Sequence, residues 1–204
     1  MFLGHAWLDN NYNVLDCFVI DNYGSLPLSF IFYLQEKKKV GLEGRLKRIS
    51  CLELDSKKRI LVGTEGGNIY MVNLRRFNFD EHIIYQDIVI ASCNNKEDFK
   101  LNPGAVESIL MDPSSSDKIL IGYERGLIVL WDRATASAEQ SFVANQQLES
   151  LVWRNDGSEF ISAHNDGSYI VWSKSKGSGE PPSMPYGPYP CKAISQIQWF
   201  HANG

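Results

Sequence analysis

One pattern recurs along this chain and limits what it can fold into. Residues 45–72 (RLKRISCLELDSKKRILVGTEGGNIYMV), 102–131 (NPGAVESILMDPSSSDKILIGYERGLIVLW) and 145–172 (NQQLESLVWRNDGSEFISAHNDGSYIVW) are altered copies of one unit. A further copy begins at Cys191 with CKAISQIQWF. A unit repeated at tens of residues implies stacked supersecondary elements, each burying its apolar faces against its neighbours. Every copy opens with an alternating run, at 106–111, 148–153 and 194–199, followed by a polar turn such as Asp112-Pro113-Ser114 or Asn155-Asp156-Gly157. A second β-rich run follows, at 60–62, 118–122 and 159–162. A tight turn then carries Gly67, Gly126 or Gly167, and a third run ends at Val72, Trp131 or Trp172. Such short runs split by Gly, Asp and Asn turns predict antiparallel hairpins. Ser50, Ser108 and Ser150 precede those glycines by 17, 18 and 17 residues, a register that unrelated hairpins have no reason to keep.

The unit resembles the WD repeat of β-propellers. Trp131-Asp132 is the dipeptide itself, and Trp172-Ser173 and Val72-Asn73 are weakened forms. A fourth, outermost strand is expected at 138–144, and at 39–42 ahead of the first copy. Four strands in about 40–45 residues is the propeller period. The step from Gly126 to Gly167 is 41 residues, whereas Gly67 to Gly126 is 59, so an insertion is expected within 79–101. The expectation is an all-β, partial WD-repeat β-propeller of about three to four four-stranded antiparallel blades, with almost no helix; a β-sandwich of unrelated strands is the alternative. In the middle blade the strands are predicted near 105–111, 118–123, 127–132 and 138–144.

The organisation predicted from this grammar is a divergent segment or degenerate blade over 1–36, then a partial propeller over 37–204. Its blades fall near 37–90, 102–144 and 145–180, with the next beginning at 191. In the first segment, 17–20 and 29–33 are candidate strands around a turn at 21–24, and 1–16 is expected to play no part in the fold. The run 83–90 is predicted as the outermost strand of the first blade, followed by an exposed excursion at 94–100. Residues 174–184 (KSKGSGEPPSM) are expected to form a mobile, exposed loop. Residues 185–190 (PYGPYP) should run extended, since proline has no ladder donor. Three copies and a stub fall short of the four blades a closed propeller needs, so the chain is expected to be a fragment that self-associates through uncovered blades.

Charge and chemistry narrow the function classes. The net charge is −4, but 35–80 carries 11 Lys/Arg against 6 Asp/Glu and the remainder 9 against 18. Lys37, Lys38, Lys39, Lys47 and Arg48 supply much of the basic block, readable as contact with an anionic surface or as a solvated blade edge protected by lysine. The acidic remainder argues against nucleic acid as a partner. Cys17, Cys51, Cys93 and Cys191 form no close pair, there is no N-x-Ser/Thr sequon, and the N-terminus reads as no signal peptide, so a reducing, cytosolic setting is expected. The Cys and His spacing matches no zinc site, and 63–68 (GTEGGN) is not a phosphate loop, so no metal or cofactor is expected. Ser162, His164 and Asp166 tempt a hydrolase reading, but a triad also needs an exposed nucleophile and an oxyanion site. The structural reading has Asp166 steadying its blade, in a network that lacks the usual histidine because Asn145 or Gln146 stands in that place. Trp131, Asp132, Asp166 and Trp172 are accordingly expected to be blade-structural, with no catalytic residue. Trp153 and Trp199 are expected to pack between blades.

Three segments go beyond a generic blade: 62–70 (VGTEGGNIY), 101–109 (LNPGAVESI) and 185–194 (PYGPYPCKAI). Together they resemble the N-terminal propeller of the lethal giant larvae family, cytosolic relatives of tomosyn, over about residues 37–200. The resemblance implies a non-enzymatic scaffold of two tandem propellers. It implies roles in cell polarity, the cortical cytoskeleton with non-muscle myosin II, and syntaxin/SNARE-linked exocytosis, under control of atypical protein kinase C. It implies a cytoplasmic protein, peripheral at the cell cortex and plasma membrane. A tomosyn-like regulator of exocytosis is the near alternative, and a propeller hydrolase the distant one.

Overall fold

The computed structural model describes residues 3–8, 14–21 and 33–41 through their backbone pairing, and residues 48–55, 58–93, 102–185 and 193–200 in full. β1 (Leu3–Leu8), β2 (Val14–Asp21) and β3 (Tyr33–Gly41) form a three-stranded antiparallel sheet in chain order. Residues 3–8 are therefore part of the fold, contrary to the expectation for 1–16. Leu3 lies opposite Ile20, and Leu8 opposite Leu15. Of the strand expected over 29–33, only Tyr33, the first residue of β3, is described; 22–32 lie outside the described residues, as do 94–100 and 186–190.

Three four-stranded antiparallel sheets follow. The first has β4 (Ile49–Asp55), β5 (Arg59–Thr64), β6 (Ile69–Asn73) and β7 (Asn78–Phe79). After α1 (Gln86–Ser92) comes the second, with β8 (Val106–Met111), β9 (Lys118–Tyr123), β10 (Leu127–Asp132) and β11 (Ser137–Val143). The third has β12 (Leu148–Trp153), β13 (Glu159–His164), β14 (Tyr169–Ser173) and β15 (Ser178–Gly179). The strands of the second sheet fall within a residue of the sequence expectation at every end.

The turns repeat because the same backbone problem recurs. Gly67, Gly126 and Gly167 have φ of 78°, 93° and 83°, and their N–H groups donate to the carbonyls of Thr64, Tyr123 and His164. At Gly126 a side chain is excluded outright, since its Cβ would lie 2.3 Å from the carbonyl oxygen of Ala144. The position after each Val or Trp caps the next turn. Asn73 Oδ1 accepts from the N–H of Arg75 and Arg76, and Asp132 Oδ1 from those of Ala134 and Thr135. This is an Asx turn, and it is what the aspartate of the Trp-Asp dipeptide does here.

The outer strands of the first and third sheets differ from expectation. The run 83–90 is not the fourth strand of the first blade. That strand is β7, continued by Asp80 N–H donating to Met71 and by a mutual pair between Ile69 and Ile84. Helix α1 takes the rest of the run. Its isoleucines and valine favour a strand by propensity, but the site decides otherwise. Asn68 Oδ1 accepts from the Gln86 N–H at 3.0 Å and so starts the helix, and Val89 and Cys93, four apart, are buried on one face. The Ser92 hydroxyl accepts from Ala138 N–H at 3.1 Å, tying the helix end to β11. In the third blade the fourth strand lies inside the expected loop 174–184. It is β15, extended by a Tyr169–Ser183 pair; Ser175 to Met184 are exposed, as predicted. Residues 193–200 contain no strand. Ile194 N–H donates to His164 O and Ile197 N–H to Ser150 Oγ, two isolated bonds that make no ladder.

The core lies between blades. One apolar cluster joins the first and second sheets and includes Leu61, Met71, Val89, Val106, Tyr123 and Trp131. Another joins the second and third around Phe142, Trp153, Phe160 and Trp172. Their rings meet edge-to-face at centroid distances of 5.0 Å (Phe142–Phe160), 5.2 Å (Trp153–Phe160) and 5.6 Å (Phe142–Trp172). Close approach needs small residues at one register of the second strand. A Cβ on Gly63 would lie 2.9 Å from Val106 Cγ1, and one on Gly122 2.4 Å from Leu148 Cδ2.

Candidate functional site

Ser162 and His164 both belong to β13, two apart on a strand, so their side chains share a face. Trp172 lies on neighbouring β14, two residues from the partner of Ser162 (Ile170) and directly opposite Phe160. The indole N–H of Trp172 donates to Ser162 Oγ at 2.7 Å, and Ser162 Oγ lies 2.9 Å from His164 Nε2. With the indole as donor, the hydroxyl either donates to Nε2 or accepts from it according to the imidazole tautomer, and Ser162 is engaged on both sides. Ser162 and His164 are completely buried, and burial holds the imidazole below its ordinary 6.5. The backbone of Gln147 and Gln146 and the charge of Asp166 act in the opposite direction. The Ser–His pair that invites a hydrolase reading is thus enclosed, its hydroxyl committed to Trp172 and closed to substrate.

Asp166 joins this region only through charge. Its Oδ1 accepts from the Ser168 N–H at 2.9 Å and the Ser168 hydroxyl at 2.6 Å. Slight burial works against ionisation, yet these bonds and nearby His164 hold its carboxyl below the usual range. Asp166 therefore ties its own turn, and the histidine is supplied by β13 rather than by the segment before β12, where Asn145 and Gln146 stand. The second blade has no equivalent chain among the described residues: Trp131 is buried, but its indole N–H finds no partner among them. Trp153 is buried in the core between the second and third blades, and Trp199 lies under the guanidinium of Arg154 at 5.7 Å.

A second polar system crosses between blades at the opposite strand ends. Asp55 Oδ2 accepts from Arg59 at 2.8 Å and from Arg133 Nη1 at 2.6 Å, a partner 78 residues away. Asp112 Oδ2 accepts from Lys174 Nζ at 2.6 Å. Both carboxylates are wholly buried as side chains. Arg133 and Lys174 occupy one repeat register, two residues after Trp131 and Trp172, and each reaches back to the preceding blade. Sequence reasoning passed over both pairs, although an acid at the end of the first strand and a base after the third were visible as recurring charges.

Of the five residues of the basic block, only Arg48 lies in the fully described part of the chain. Lys37, Lys38 and Lys39 lie on β3, opposite Phe18, Cys17 and Asp16. Lys47 lies outside the described residues, and Arg48 is paired with Glu65 at 2.9 Å. An acidic group sits elsewhere: burial raises the Glu107 carboxyl above its ordinary 4.5, and Glu149 and Glu124 push the same way. Among the described residues no group of three His, Cys, Asp or Glu is placed to hold a metal ion. No helix there is long and apolar enough to cross a membrane.

The relatives decide the lineage. Over 167 residues, 78% of the chain, it is 43% identical to the lethal(2) giant larvae protein of Drosophila melanogaster. It is 42% identical over 76% of its length to lethal(2) giant larvae protein homolog 1 of Mus musculus. The chain belongs to the lethal giant larvae family. A human family member, LLGL scribble cell polarity complex component 2, is 37% identical over 69% of the chain. The chain spans about a seventh of the length of these relatives, 14–15%. No family model matches it. Among solved structures, the WD40 domain of Toxoplasma gondii coronin superposes with a TM-score of 0.65 over 90% of this chain and 43% of that one, at 11% identity. The WD40 repeats of RRP9 superpose with a TM-score of 0.56 over 74% of this chain and 41% of theirs, at 16% identity. Such distant likeness speaks to fold alone, and it makes this lethal giant larvae chain a partial WD-repeat propeller.

Proposed function

We propose that the chain is part of a non-enzymatic protein-binding scaffold acting in cell polarity. The observation that carries this reading is the 43% identity to lethal(2) giant larvae protein over most of the chain. The enclosed Ser162–His164 pair supports it, because a pair of residue types suited to nucleophilic chemistry is consumed by the fold. A scaffold of this kind presents turns and blade edges to partners, while the cores hold the blades.

At finer grain, the proposal is a cytoplasmic protein held peripherally at the cell cortex. There it engages non-muscle myosin II, syntaxin-type SNAREs and the atypical protein kinase C complex. The support is the family resemblance. Tagged full-length protein in polarised epithelial cells should concentrate at one cortical domain and capture the myosin II rod and the cytosolic part of a syntaxin. Uniform cytosolic distribution with neither partner retained would overturn it. Lys37, Lys38, Lys39, Lys47 and Arg48 would add an anionic-membrane contact worth about 1 kcal/mol per residue at the leaflet, reduced by screening and, for Arg48, by its pairing with Glu65. Co-sedimentation with phosphatidylserine vesicles should fall when all five become glutamine; equal binding leaves them as a protected blade edge.

A further inference from the structure

The two seams between blades are built alike but filled differently. From Ile84, which pairs with Ile69, to Val106 at the start of β8 the chain runs 22 residues. From the matching Phe142, which pairs with Ile128, to Leu148 at the start of β12 it runs six. The longer connection supplies α1. Val89 and Cys93 join the cluster between the first and second sheets, which includes Val129 and Trp131. Ser92 Oγ accepts from the Ala138 N–H, and Cys93 engages the Ser141 side chain. Counted from Gly126 and Gly167, the third blade places Ile170, Trp172, Gly179 and Pro182 at the register of Val129, Trp131, Ala138 and Ser141. The pairing agrees, since Trp131 lies opposite Ala138 and Trp172 opposite Gly179. Among the described residues no helix covers this second site. Instead the four residues line a cavity of about 310 Å³, with Val143 and Ala144 of the second blade on its other side.

We propose that this cavity is a docking pocket for a short amphipathic helix of a protein partner, seated on the third blade as α1 is seated on the second. The apolar lining suits two small side chains four apart, the spacing at which α1 presents Val89 and Cys93. The volume, at the low end for ligand sites, accommodates such a pair. Charge sets the flank of the partner. Asp166 and Glu180 stand in the wall, with no Lys, Arg or His among the described lining residues. Asp166 also takes the place of Arg125, each one residue before its turn glycine, so the sign at this position is reversed between the two seams. Where α1 carries Asp87 in its first turn, the partner helix therefore carries a basic residue. This pocket deepens the protein-binding reading above and rests on it.

The test is fluorescence polarisation of the full chain with a labelled, helix-stapled peptide of residues 83–93 carrying Asp87→Lys and Cys93→Ala. It should bind, and the same peptide with Val89→Asp should bind at least about tenfold more weakly, because a carboxylate would enter the apolar lining unpaired. N145W narrows the mouth and should cut affinity roughly tenfold. E180K reverses a charge in the wall and should cut it about threefold, less at high salt. Asn145 and Glu180 are exposed, and a circular dichroism spectrum like the parent's shows that each variant folds. Equal binding of the two peptides, no binding of the first, or unchanged affinity in both variants would overturn the proposal; the last would place the peptide in the first seam instead. So would dissociation of a self-associated chain by the peptide, which would assign the pocket to a second copy. None of these outcomes bears on cortical targeting, which tests the scaffold reading separately.

Discussion

Lys174 reaches 62 residues back along the chain to place its ammonium 2.6 Å from the Asp112 carboxylate, joining the third blade to the second. The Asp112 side chain is wholly buried and also accepts from the Ser114 N–H and hydroxyl through Oδ1, at 2.8 and 2.7 Å. Lys174 keeps 21% exposure, so water screens the pair in part. K174M should cost about 2 kcal/mol, below the range for breaking a fully buried pair. In a double-mutant cycle with D112N, measured by denaturant unfolding, the two should couple by about 1 kcal/mol. Additive effects would mean that the blades are not held together through this contact.

Trp172 joins the apolar cluster and the polar chain at once, and the two roles separate by substitution. W172A removes a 6%-exposed ring packed on Phe142 and Phe160 and should cost about 3–5 kcal/mol. W172F keeps an aromatic ring but loses the donor to Ser162, and should cost about 1–2 kcal/mol. Chemical denaturation of both variants checks the ordering. A loss below about 1 kcal/mol for W172A would place the ring outside the core.

His164 makes stability depend on pH. Its folded-state pKa lies below 6.5 because burial disfavours the cation, so the unfolded chain binds the proton more tightly. The stability contributed by the neutral ring is complete above 6.5 and is lost as pH falls from there towards the folded value. Thermal unfolding of the parent should move to lower temperature through that window, and H164Q should show a flatter profile. A parent and variant with parallel profiles would remove His164 from the account.

Glu107 works in the opposite sense. Burial, with Glu149 and Glu124 nearby, raises its carboxyl above 4.5, so the folded chain binds the proton more tightly. Its stabilising protonated form is lost as pH rises through the raised value, and the ionised group weakens the fold at neutral pH. E107Q should therefore unfold at a higher temperature than the parent at pH 7, with the difference closing towards pH 4. A variant less stable at neutral pH would show Glu107 in a favourable contact instead.

Much of the fold could be read before any coordinates. The glycines at 67, 126 and 167 set the hairpins because a positive φ there excludes most side chains, and the alternation in 106–111 and 148–153 chose strands. Those are local constraints, carried by each residue wherever it goes. The run at 83–90 was misread because its β-branched content speaks for a strand, while the groove beside β11 and the cap from Asn68 choose a helix. The two-residue strands β7 and β15 were missed for a related reason. Their edges are completed by single bonds from Asp80, Ile84, Glu180 and Ser183, which leave no pattern in the residues.

For the candidate sites the division is sharper. Sequence alone determined that Ser162, His164 and Asp166 are close along the chain, and that the repeat absorbs Trp131, Asp132 and Trp172. Tertiary structure decided that Ser162 serves Trp172 and His164 while Asp166 serves its own turn, because registry between β13 and β14 sets which side chains meet. It also decided the pairs Asp55–Arg133 and Asp112–Lys174, and the cavity beside Trp172. Contacts 62 and 78 residues apart depend on how one blade seats against the next. That seating is a sum of packing over whole sheets, and no single residue type records it.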